Sequence, residues 1–152
     1  MTVEKSAGTK LAISAGVPAT FDNLGYSALA FTTVGEVADF GDIGREYELR
    51  TRKPLGVLHT KKGKGGFNDG SSDVKLALDS ADAGQVLMKT ASNSDAEYAF
   101  RVTLPSGNIF YFQSLVMNFK SSIGGQDGDV NASAKLEIVT SDAGVGVVEV
   151  LV

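Results

Sequence analysis

Residues 58 to 70 read LHTKKGKGGFNDG, with His59, Lys61, Lys62 and Lys64 set among glycines and followed by Asp69. Lysines in a glycine-rich run suit a phosphate cradle, in which backbone N–H and ammonium groups converge on an anion. The run does not match G-x-x-x-x-G-K-[ST], and no strand-loop-helix pattern follows it, so nucleotide binding is not expected. Nucleic-acid binding is disfavoured as well: no aromatic interleaves with the lysines, and a net charge of −4 opposes a phosphate backbone. His59 is the single histidine, and its place beside the lysines reads as a surface position. GYSAL at Gly25 lacks the closing glycine of a nucleophile elbow. DGDVNA, from Asp127 to Ala132, places carboxylate, carboxylate and amide at the first, third and fifth positions of a calcium loop. However, Ala132 stands where that loop needs glycine and Ile138 where it needs a bidentate glutamate, so the stretch reads as a turn entering a strand. With no cysteine there is no disulfide framework, thiolate metal site or cysteine nucleophile, which fits a reducing cytoplasm. Nothing points to a carboxylate pair for glycoside hydrolysis. No enzymatic activity, cofactor or metal site is expected.

The charge is unevenly placed. Residues 45 to 64 hold seven Lys/Arg and two Glu, a net of +5, so the rest of the chain carries −9 of the total of −4. A basic segment on an acidic body favours contact between copies of the same chain. At 152 residues the chain is expected to be one domain, 1–152. No apolar run is long enough for a membrane helix, and the opening MTVEKSAGTKLAISAGVPA is broken by serine and glycine, so neither a span nor a signal peptide is expected.

Most of the chain has period two, the mark of strands with one buried face. Tyr47, Leu49 and Thr51 alternate with charged residues, and Val74, Leu76 and Leu78 alternate with Asp73, Lys75 and Ala77. Tyr98, Phe100, Val102 and Leu104 lead through LPSGN into IFYFQSLVMNF, a hairpin signal. In the second arm Phe110 and Phe112 share one phase and Leu115, Met117 and Phe119 the other, which calls for a bulge or burial on both faces. Ala134, Leu136 and Ile138 are in phase, VGVVEVLV reads as a last strand, and KLAIS and LAFTTV as early ones around a loop with Pro18. One helix is expected at about 80–91, capped by Asp79 or Ser80, with Asp82 at its positive end, Val86, Leu87 and Thr90 as its apolar side, and Gly84 as its weak point. Together these predict a mainly β fold: a two-sheet antiparallel β-sandwich or barrel with one flanking helix and a long loop at about 53–72.

Taken in order, these segments resemble the tail tube, or major tail, proteins of tailed bacteriophages. The likeness is carried by GSSDVKLALDSADAGQVLM, with its Asp-x-Gly-Gln turn, by EYAFRVTLPSGNIFYFQSLVMNF, and by GGQDGDVNASAKLEIVTSDAG. GTKLAISAG and the Val-Gly-Glu-Val of FTTVGEVADFGDIG match more loosely. The resemblance implies six copies closing into a ring around a DNA-wide lumen. Rings would stack into a tube around a tape-measure protein, between a tail terminator and baseplate or tip proteins. Such a tube is a virion part, assembled in the bacterial cytoplasm, that conducts double-stranded DNA; the tube protein of type VI secretion systems shares the fold and is the second reading. A carbohydrate-binding or adhesin sandwich is the other class, and the lack of any Trp speaks against it. A connection of about twenty residues without periodicity signals function or disorder. His59, Lys61, Lys62, Gly63, Lys64, Gly65, Gly66, Phe67, Asn68 and Asp69 are therefore expected to form a mobile inter-ring loop that orders on a neighbouring copy.

Overall fold

The computed structural model describes residues 3–126 and 128–151. In chain order the elements are β1 (Lys10–Ser14), α1 (Asn23–Ser27), β2 (Thr32–Val34), β3 (Val37–Asp39), β4 (Glu46–Arg52), β5 (Lys61–Asn68), β6 (Ser71–Ala77), α2 (Ala83–Ser92), β7 (Tyr98–Thr103), β8 (Ile109–Ser122), β9 (Asn131–Val139) and β10 (Val147–Val150). Eight strands form one sheet in the order β2-β1-β7-β8-β9-β6-β3, with β10 also on β8, and β4 and β5 form a separate ribbon. Every pairing is antiparallel.

The order β2…β3 puts consecutive strands at opposite edges of the large sheet. Only Gly35 and Glu36 join them, and so short a link reaches about 11 Å at most. The sheet must therefore curl until its edges lie side by side, giving the mainly antiparallel sandwich or barrel that period two implies. Its concave face collects Leu11, Ile13, Val74, Leu76, Phe100, Phe112, Val116, Leu136 and Ile138, and Met88 and Ala91 of α2 complete the core. Phe100 and Phe112 stack with centroids 5.5 Å apart. Burying each such large side chain contributes about 1.5–3 kcal/mol relative to exposure.

The hairpin of β7 and β8 forms as its sequence requires, closed by a bond from Leu104 N–H to Asn108 O of 2.8 Å. Both explanations for the phase change in β8 hold. The register shifts between Val116 and Asn118, a bulge that leaves Met117 exposed and returns Phe119 to the core. Phe119 thus joins Phe112 rather than Met117. Upstream, β8 is buried on both faces, because Tyr111 packs outside the sheet with Tyr26 and Ala99. Tyr26 belongs to α1, a five-residue helix within the loop expected around Pro18, capped by Asp22, whose side chain accepts from Gly25 N–H.

Helix α2 spans Ala83–Ser92, starting about three residues later than expected, and its cap is Asp82, not Asp79 or Ser80. Its buried residues are Gly84, Gln85, Met88 and Ala91, whereas Val86 is half-exposed. The helix turns this face inward because Gly84 lies against β2: a Cβ there would sit 2.6 Å from Val34 Cα and collide with Thr33 O. Glycine, the apparent weak point, is what permits the approach.

Two stretches far apart in sequence meet at this contact. Asp82 accepts from Gly35 N–H and Gln85 N–H, both 3.0 Å. The buried Gln85 side chain donates to Gly35 O at 3.0 Å and Ala77 O at 2.9 Å, and accepts from Asp79 N–H at 2.9 Å. The Asp-x-Gly-Gln turn thus clamps the Val-Gly-Glu-Val link where the sheet edges come together, holding Glu36 at φ 58, a conformation unusual for a side-chain-bearing residue.

Candidate self-assembly arm

The segment expected as a loop at about 53–72 is only partly one. Lys61–Asn68 is a strand, β5, paired with β4, and the loop proper is 53–60; Ser71 already begins β6. The strand was hidden because β4 and β5 expose both faces, so burial imposes no alternation on KKGKGGFN. For the same reason the alternation of Tyr47, Leu49 and Thr51 does not mark a buried face: all of β4 is exposed.

The ribbon is anchored at its root. Arg45 Nε donates to Asp69 Oδ1 at 2.9 Å and Arg45 Nη2 to Gly144 O at 2.7 Å, while Thr140 Oγ1 donates to Asp69 Oδ2. Asp69 is 2% exposed, and Gly146 lies so close that a Cβ there would strike its carboxylate. The Asp69 carboxylate, hydrogen-bonded to the guanidinium, also holds Arg45 above the usual arginine range. Arg45 stacks 3.7 Å from the Phe67 ring centroid, Phe67 meets Tyr47 edge-on at 5.5 Å, and Lys64 Nζ lies 4.7 Å from the Tyr47 centroid. Opposite Glu48, Gly65 and Gly66 take the place of one residue, a bulge that ends this aromatic root.

Beyond the bulge the arm is basic, with the exposed Leu49 facing Lys64. Arg50 faces Gly63, Thr51 faces Lys62 and Arg52 faces Lys61. Like charges on facing strands repel, and a two-stranded ribbon without a buried face is at best marginally stable in water. The loop 53–60 adds His59, Leu55 and Leu58, all exposed. The ten residues expected to act together thus divide. His59, Lys61, Lys62, Gly63, Lys64 and Gly66 are exposed, Gly65 is half-buried at the bulge, Phe67 packs at the root, and Asn68 accepts from Gly70 N–H at 2.8 Å. Asp69 differs from the other nine in being buried, where its carboxylate anchors the arm root to Arg45. Arg45, Thr140 and Gly144 were missed, since their contacts span 24 to 99 positions and no local pattern marks them.

Among the described residues no cluster of three or more His, Asp or Glu is placed to hold a metal ion. In DGDVNA, Asp127 lies outside the described residues and Asn131 opens β9. No described helix is long and apolar enough to cross a membrane.

The curled antiparallel sheet with a helix on its core superposes on chains from solved phage tail and tail-like assemblies. The SPP1 tail tube superposes with a TM-score of 0.66 at 15% identity, over 97% of this chain and 78% of that one. The tail of the GTA particle, which has C6 symmetry, gives 0.62 at 12% identity over 88% and 92% of the two chains. A chain of the six-fold symmetrised anti-feeding prophage baseplate gives 0.61 at 8% identity over 90% and 92%. At these identities the likeness is one of fold. No protein-family model matches the chain, and no curated protein does.

Proposed function

We propose that this protein is the structural subunit of a phage tail tube. Its copies close into six-membered rings that stack into the conduit for DNA delivery, built around a tape-measure protein and ending at terminator and baseplate proteins. The role is mechanical, and the chain's site is a surface for its own copies rather than a catalytic pocket. The observation that carries this reading is the β4–β5 arm, fixed at its root by Arg45 and Asp69 and exposed on both faces, on the fold shared with the SPP1 tail tube and the GTA tail. Such a ribbon gains a buried face only against another molecule. An arm of net positive charge on an acidic body supplies complementary surfaces for that contact. The remaining negative charge suits a lumen past which DNA slides, since few Lys/Arg contacts would make binding tight and salt-dependent.

Electron micrographs of the purified protein should show rings or hollow filaments. A variant in which residues 53–60 are replaced by a two-residue turn, leaving Asp69 and the arm root intact, should fold and fail to stack. A wild-type sample that stays monomeric on a sizing column at every concentration and ionic strength overturns the reading.

A further inference from the structure

Leu55 and Leu58, at the end of the arm, are fully exposed. A groove of 480 Å³ between α2 and the second half of β8 is lined among polar residues by Leu78 and Val86, 37% and 50% exposed, and by the partly buried Phe119. The strand registers put the root of the arm and the groove at opposite ends of the subunit. β6 begins at Ser71, just past the Asp69 anchor, and ends at Ala77, next to Leu78 in the groove. Along β9, Glu137 pairs with Ser71 at the arm end and Asn131 pairs with both Ala77 and Ser122 of β8 at the groove end. Six steps of about 3.3 Å separate the two ends by about 20 Å.

We propose that the groove between α2 and β8 receives the arm tip of a second copy, with Leu55 and Leu58 against Leu78, Val86 and Phe119. This inference rests on the tube reading and names the surface that the arm meets. Because the two patches differ, the contact is heterologous and, when its rotation does not close a ring, adds copies head to tail. Charge agrees with the fit. Arg52, Lys53 and Lys61 flank the tip, while Asp79 lines the groove and Asp129 lies beside it, next to the 2.9 Å bond from Leu78 N–H to Val130 O. Lys89 on the helix side is the opposing charge.

The chain has no cysteine, so introduced thiols report without background. A disulfide needs Cα atoms within about 7 Å, which excludes bridging across one subunit from end to end. Leu55→Cys and Val86→Cys in one chain, oxidised after assembly, should give a ladder of covalent multimers on a non-reducing gel, and either substitution alone should give none. Mixing the two single-cysteine chains into wild-type protein should give covalent dimers, so the test does not require the double variant to assemble by itself. Tubes of normal appearance without ladder or dimers overturn the groove contact and leave the tube reading standing. A ladder from Leu55→Cys with Ala143→Cys, at the arm-root end, overturns it too by placing the tip on the same end. Failure of unmodified protein to form tubes overturns both.

Discussion

Gly84 shows how one residue ranks two opposed effects. Replacing it with alanine favours an isolated helix by about 1 kcal/mol. In the fold, the added Cβ meets Thr33 O and Val34 Cα, backbone atoms that cannot rotate away. Overpacking of this kind costs about 1–3 kcal/mol, so Gly84→Ala should lower the urea midpoint despite its better helix propensity. Tyr26 yields a second residue-scale prediction. Its ring is buried and stacks 5.3 Å from Tyr111. Burial, reinforced by the nearby Glu97 carboxylate, pushes its hydroxyl up from 10.0 to about 12. Because the folded-state value lies above the unfolded one, this contribution is complete below pH 10 and fades as pH rises toward 12. Melting temperature should therefore fall more steeply between pH 10 and 12 in the wild type than in Tyr26→Phe; equal slopes would show that Tyr26 titrates normally.

At the scale of elements, the arm and α2 contrast in what holds them. Helix α2 is fixed by its buried face and by the Asp82 and Gln85 bonds to Gly35. The arm is fixed at one end only, and past its bulge it presents Arg50, Arg52, Lys61, Lys62 and Lys64 to solvent. Reversing Lys61, Lys62 and Lys64 to Glu should leave the large sheet folded, because none of the three contributes to its core. It should weaken assembly most at low salt, where exposed charges act over about 30 Å at 0.01 M rather than about 8 Å at 0.15 M. Sedimentation of assembled material across a salt series measures this, and an equal loss at every salt concentration would refute an electrostatic role for the arm.

At the scale of the whole molecule, closure of the sheet depends on two sequence-distant stretches, 34–37 and 82–85, that stabilise one short link. The strands β6, β7, β8 and β9, the hairpin at LPSGN and the existence of α2 could be read from the sequence, because a buried face imposes period two and a cap imposes local chemistry. The division of charge between residues 45–64 and the rest could be counted directly. The strand β5, the inward face of α2, the anchoring role of Asp69 and the opposition of arm and groove could not. Each depends on contacts between residues far apart in the chain or, for β5, on the absence of any buried face. In β6 and β9 local periodicity records which side meets the core, so the sequence determined those strands. Only the tertiary structure decided that the basic run is a ribbon held by a buried carboxylate, because Asp69 meets Arg45 once β4 and β5 pair and meets Thr140 once β6 and β9 pair.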